Sequence, residues 1–308
     1  MKEYFYKTEY IFLYLSKFCY ALANSFIDIF GVVMLYKNGM PIHIILLIYG
    51  LRFGIMGICS PLFITIASKY GIARCALIAN VLRLVGSYMI LNGSFNNIII
   101  FILVMSLPGA LSNPIEDAVS SKYVETKHRG RYNSILNVSN ILGSALSSCL
   151  VAWGVITNNN SILFIFIAFF FLLQYFFIRK IDYKPENKNN VFKATMRYIL
   201  KSKSKYKIIY ALRTNHILER LFVPLYLYII IQDFKLFSFI TIISLLLQVI
   251  TIILIGKYSD KNLNRSNDLV TITKAVITGM FFATKNKIVI SINKTLNDNF
   301  QKVYETSI

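Results

Sequence analysis

Apolar blocks of bilayer length, repeated along the chain, leave it few ways to fold. Residues 42–67 read IHIILLIYGLRFGIMGICSPLFITIA and carry one charge, Arg52. Residues 132–156, 161–178 and 236–255 are similar. At the rise of an α-helix, roughly 20 such residues cross the hydrocarbon core of a bilayer. Backbone N–H and C=O groups in lipid have no water to bond, so each block must satisfy them internally, as a helix. The runs are continuous and do not alternate as barrel strands do. Spans are therefore expected at 10–34, 42–66, 75–91, 98–118, 133–156, 161–178, 208–231, 236–255, 268–283 and 288–306. Lys274, Lys294, Asp298 and Lys302 interrupt the last two. A soluble helical protein does not fit: 15% of the residues are charged, where a soluble domain carries about 25%.

The net charge of +19 would point to nucleic acid in a soluble chain. Here the charge clusters in alternate loops, and no nucleic-acid partner is expected. With the N-terminus in the cytoplasm, the segments on that side hold about 21 Lys and Arg, ten of them between residues 179 and 207, and the opposite loops hold four. This is the positive-inside pattern. It predicts a multi-pass protein of the cell (plasma or inner) membrane with a cytoplasmic N-terminus. YKNGMP, NGSFNN and TNNN read as turns. Residues 182–207 are basic and contain Pro185, so they read as a cytoplasmic linker between a six-helix bundle, 1–181, and a second bundle, 208–308. Ala21-Leu22-Ala23 resembles a signal cleavage site. Lys17 breaks the apolar core before it, and apolar sequence runs on to Met34, so a retained first span is expected. Cys19, Cys59, Cys75 and Cys149 are scattered through apolar blocks without a C-x-x-C pair or a His at ligand spacing, so neither disulfide nor metal is expected. No nucleotide-binding or common enzyme motif occurs, so ATP hydrolysis and enzyme chemistry have no support and no cofactor is expected.

Two polar gaps between spans carry a resemblance. GKYSDKNLNR (256–265) fits the pattern G-x-x-x-D-R/K-x-G-R-R/K with Gly256, Asp260, Lys261 and Arg265, although Leu263 stands where the second glycine belongs. ITIASKYGIAR keeps Lys69, Gly71 and Arg74, but Ser68 replaces the acid. HRGRYNSILNVSNILGSALSS (128–148) puts a basic-Gly-basic run before a fifth span rich in small residues, and NPIEDAVSSKYV ends the fourth. Together these resemble the major facilitator superfamily (MFS). The resemblance implies an all-α, MFS-like two-bundle fold of twelve helices, of which about nine or ten are present, as in a chain truncated at its C-terminus. It implies a secondary active transporter for a small solute. It also implies that Gly256, Asp260, Lys261 and Arg265, with Gly71 and Arg74, form cytoplasmic loops that latch one state. An Asp at a helix start accepts backbone hydrogen bonds and pairs with Arg. The plainer reading of both loops is a positive-inside connection with a helix cap, and the loss of the acid favours it in the first half.

Ionisable residues at membrane depth are costly, so each is a candidate site. Asp28 lies one turn after Asn24 in the first span; Arg52 and Arg83 are central in the second and third. Glu116 and Asp117 lie toward the cytoplasmic end of the fourth, and Glu219 lies in the seventh beside Arg220. The resemblance implies that the first, fourth and seventh spans line a cavity, which would receive Asp28, Glu116 and Glu219. A carboxylate there can take up and release a proton as the cavity changes side. Proton-coupled alternating access is thus expected, with Asp28, Arg52, Arg83, Glu116 and Glu219 as the substrate and proton residues. The structural alternatives are an ion pair of Asp28 with Arg52 or Arg83 that fixes helix register, a solvated pair of Glu116 or Asp117 with Lys122, and an interfacial helix around Glu219. Gly143, Ser144, Ser147 and Ser148 in the fifth span, and Gly50, Gly54 and Gly57 in the second, have the spacing of close helix contacts, and Pro61 is expected to kink the second. The functional alternatives are a non-transporting receptor or scaffold, a decayed transporter fragment, or the membrane subunit of an ATP-driven pump.

Overall fold

The computed structural model describes residues 8–93, 98–123, 129–157, 159–181 and 222–259, and the regular structure among them is helical. α1 is one continuous run made of Thr8–Ser25, a π-helical turn at Phe26–Phe30, and Gly31–Lys37. α2 is Ile42–Tyr70, α3 Ile72–Asn92, α4 Ile98–Tyr123, α5 Arg129–Ile156 and α6 Asn160–Arg179. α7, Phe222–Ile231, and α8, Phe234–Ser259, follow. Among the described residues, five spans are long and apolar enough to cross a membrane: Tyr10–Lys37, Ile42–Ala67, Ile72–Asn92, Ile135–Ile156 and Asn160–Arg179. Leu47, Ile58, Ile99, Ile165, Leu172 and Phe239 are exposed on outer faces. So much large apolar surface suits contact with lipid and not with water.

The helices form a chain of neighbours: α2 packs on α4, α4 on α3, α3 on α6, α6 on α1, α1 on α5, and α5 on α8. α1 is the central element, with 78% of its apolar window buried against 17% for that of α2. Its C-terminal end gathers α7 and α8. The Phe30 ring lies 5.6 Å from that of Phe234 and 5.8 Å from that of Phe237, and Tyr36 meets Tyr228 at 6.3 Å. Val223, Leu225, Leu227 and Ile231 of α7 complete this core.

The small residues of α5 do what their spacing predicts. A Cβ on Gly143 would lie 2.5 Å from the carbonyl oxygen of Phe18 and 2.9 Å from the Cβ of Ala21, so α1 and α5 approach backbone to backbone. Ser25 donates to Ser144 across the contact at 2.8 Å. The glycines of α2 correct the expectation. A Cβ on Gly50, Gly54 or Gly57 would meet nothing within 4 Å among the described residues. Their face points away from α4, the neighbour α2 packs on.

Two expected loops also change. The polar gap at 67–74 is a single residue: α2 runs to Tyr70, α3 starts at Ile72, and Gly71 turns the chain with φ +83° and ψ +159°. Glycine reaches that region without a steric penalty, so one residue suffices. Gly256, expected to open a loop, lies within α8, which continues to Ser259. Two of the Asn-rich turns contribute bonds: Asn159 caps α6 by accepting from the Ile162 N–H at 3.2 Å, and Asn38 donates to the Ile90 carbonyl at 3.1 Å, while most of NGSFNN lies outside the described residues. The linker 182–207 and the expected ninth and tenth spans lie outside the described residues.

Candidate functional site

Lys17, Tyr20, Asn24 and Asp28 recur at intervals of three or four residues along α1, which puts them on one side of the helix. Asp28 is the middle residue of the π-helical turn. Such turns insert one extra residue and recur at functional sites. The Asn24 Nδ2 donates to Asp28 Oδ2 at 2.6 Å, and the Arg52 Nη2 donates to Oδ1 at 3.0 Å. Both carboxylate oxygens are thereby held, one from within α1 and one from α2. The side chain of Asp28 is 35% exposed and that of Arg52 11%.

Arg52 is underused as a donor. Its Nε and Nη1 are buried and make no hydrogen bond among the described residues. A buried donor without a partner costs about 1–3 kcal/mol. The rings of Tyr49 and Phe53, each 5.4 Å from the guanidinium carbon, offer it π faces. Tyr49 itself donates to the Ile27 carbonyl, inside the π-helical turn, at 3.2 Å. Gly31 makes room for this: a Cβ there would stand 2.9 Å from the Tyr49 hydroxyl.

Arg83 forms a second centre. It is 4% exposed and bonded to neutral acceptors: Asn80 Oδ1 at 3.1 Å, the Pro108 carbonyl at 3.3 Å and Ser112 Oγ at 2.5 Å. Asn80 in turn donates to the Phe171 carbonyl at 2.9 Å. One network thus ties α3 to α4 and α6. The Tyr20 ring lies 4.7 Å from the Arg83 guanidinium carbon and 5.0 Å from the Lys17 ammonium, so α1 links the two centres.

Of the two ion pairs open to Asp28, the structure makes the one with Arg52; Arg83 has other partners. Arg74, in the first turn of α3, is exposed, and Lys69, in the last turn of α2, lies over the Tyr70 ring at 5.5 Å. Glu116 falls on α4, but its side chain lies outside the described residues, as do Glu219, Asp260, Lys261 and Arg265. Sequence reasoning missed Tyr20, Tyr49, Asn80 and Ser112. A signal existed for two of them: Tyr49 and Asn80 each stand three residues before an intramembrane arginine, the spacing of neighbours on a helix. The model of the Major Facilitator Superfamily matches residues 13–285 of the chain. No curated protein matches it.

Proposed function

The chain belongs to the Major Facilitator Superfamily, a family of membrane transporters, and from that premise we propose a proton-coupled secondary transporter of a small solute, working by alternating access. The observation that carries this reading is the Asp28–Arg52 pair at the π-helical turn of the central helix. Asp28 is the proton carrier. Deprotonated, it holds Arg52 and so draws α2 toward α1. Protonated, it loses most of the attraction, since a charged hydrogen bond is roughly twice as strong as a neutral one, and the two helices part. A carboxylate held between two elements in this way converts proton occupancy into helix position. The same reading places the protein in the cell membrane with a cytoplasmic N-terminus and divides it into bundles 1–181 and 208–308 joined by 182–207. Asp260 and Arg265, with Gly71 and Arg74, serve there as cytoplasmic latches.

The test is solute uptake by vesicles containing the full chain under an imposed pH gradient. Gradient-driven uptake is expected for the wild type, and Asp28→Asn should abolish the response to the gradient. Uptake that follows the gradient equally well in Asp28→Asn would remove Asp28 from the mechanism. No uptake of any solute would return the non-transporting membrane protein.

A further inference from the structure

The site also carries information on the charge of what it binds. At this site, among the described residues, the guanidinium groups of Arg52 and Arg83 stand against one carboxylate, Asp28. Arg83 spends Nη1 and Nη2 on Asn80, Pro108 and Ser112. Arg52 spends Nη2: one bond to Asp28 Oδ1 leaves the buried Nε and Nη1 unspent among the described residues. Nearby stand aromatic rings and the amide of Asn24, whose Nδ2 is committed to Asp28. An ammonium solute would meet a cation there. An uncharged solute would leave the guanidinium donors as they are.

We propose that the transported solute bears an oxyanion, a carboxylate or phosphate group, that bonds Arg52 in competition with Asp28. This rests on the transporter reading above and goes further by naming the class of solute. With Asp28 ionised, Arg52 is engaged, and an arriving anion meets a like charge beside it. A proton on Asp28 gives a neutral carboxylic acid, releases the Nη2 of Arg52 and removes that repulsion. Proton and anion therefore favour each other's binding, by the same factor in each direction. A proton and a monoanion carried together move no net charge. Among the described residues, the titratable and charged groups around Asp28 are Arg52 and Tyr49 from α2 and, along its own helix, Tyr20 and Lys17, with Arg83 across from Tyr20. From α5, Ser144 reaches the neighbouring Ser25 and does not titrate.

The experiment is thermal unfolding of the purified full chain in detergent, at acid and at alkaline pH, with three arms of probes. The first holds acetate, benzoate, succinate and inorganic phosphate; the second benzamide and glucose; the third benzylamine and choline. Stabilisation is expected from the first arm only, and more strongly at acid pH; its members separate carboxylate from phosphate. Arg52→Gln should weaken that binding on the order of tenfold or more, the scale of one lost charged hydrogen bond. Asp28→Asn, which keeps the shape of the side chain, should bind the same anion independently of pH. Because this second variant predicts retained binding, a fold disrupted at Arg52 leaves the proposal open to refutation. Stabilisation by the neutral or cationic arm that survives Arg52→Gln would overturn the oxyanion and leave the transporter standing. Silence in all arms would also overturn it, and vesicle uptake of an uncharged or cationic solute would show that the transporter reading had not fallen with it.

Discussion

Two arginines in similar settings illustrate how chemistry and support differ. Arg52 has one carboxylate partner and unspent donors among the described residues, whereas Arg83 is held by three neutral oxygens and lies over the Tyr20 ring. We therefore expect Arg83 to hold the bundle together. A lysine ammonium lacks the planar fork with which the guanidinium meets these acceptors while lying over an aromatic ring. Arg83→Lys should lower the stability of the detergent-purified protein by about 1–3 kcal/mol, the cost of stranding buried polar partners; an unchanged unfolding midpoint would sink this assignment. The intramembrane charges themselves were legible in the sequence, because a charged residue in an apolar block has no other reason to be there. Their pairing was not. Asp28, Arg52 and Arg83 all lie in different spans, and choosing between the two possible pairs requires knowing which faces meet. The π-helical turn left no trace either, since FIDIF reads as ordinary helix.

At the scale of elements, glycines with the same spacing carry different weight. Gly143→Ala should destabilise by roughly 1–3 kcal/mol, since the added methyl meets the α1 backbone in a packed contact. Gly54→Ala, on the open face of α2, should be neutral or slightly stabilising because it removes a glycine from a helix. Unfolding midpoints of the two variants, measured side by side, check the contrast. Gly71→Ala tests the one-residue turn. Its backbone lies in a region that residues with a Cβ reach at a cost of about 1–3 kcal/mol, and a loss on that scale is expected in the same measurement. Helix existence was readable from apolar length alone, but helix ends were not. SKY and IAR look like loop because they are polar, yet they continue α2 and begin α3 once one glycine makes the turn.

For the molecule as a whole, sidedness follows from the Lys/Arg asymmetry and can be checked at one exposed residue. Arg74 lies in the first turn of α3, next to Gly71. Arg74→Cys should react with a membrane-impermeant thiol reagent only from the cytoplasmic face, in a background with Cys19, Cys59, Cys75 and Cys149 replaced; labelling from outside would invert the topology. The family was legible at this scale because the succession of apolar spans, loop position and charge bias agree even where single motifs are degraded. The packing order was not, because apolar blocks give every helix a similar surface. The π-helical turn, whose last residue Phe30 meets α8, sits between the part of α1 that packs on α5 and the C-terminal part that carries Tyr36 to α7. Relaxing it to ordinary α geometry would swing that C-terminal part by about 100°, one residue's worth of helical phase. Asp28, at its midpoint, is therefore mounted on a swivel: the upper rod of α1 and the aromatic collar it wears cannot turn without moving the carboxylate.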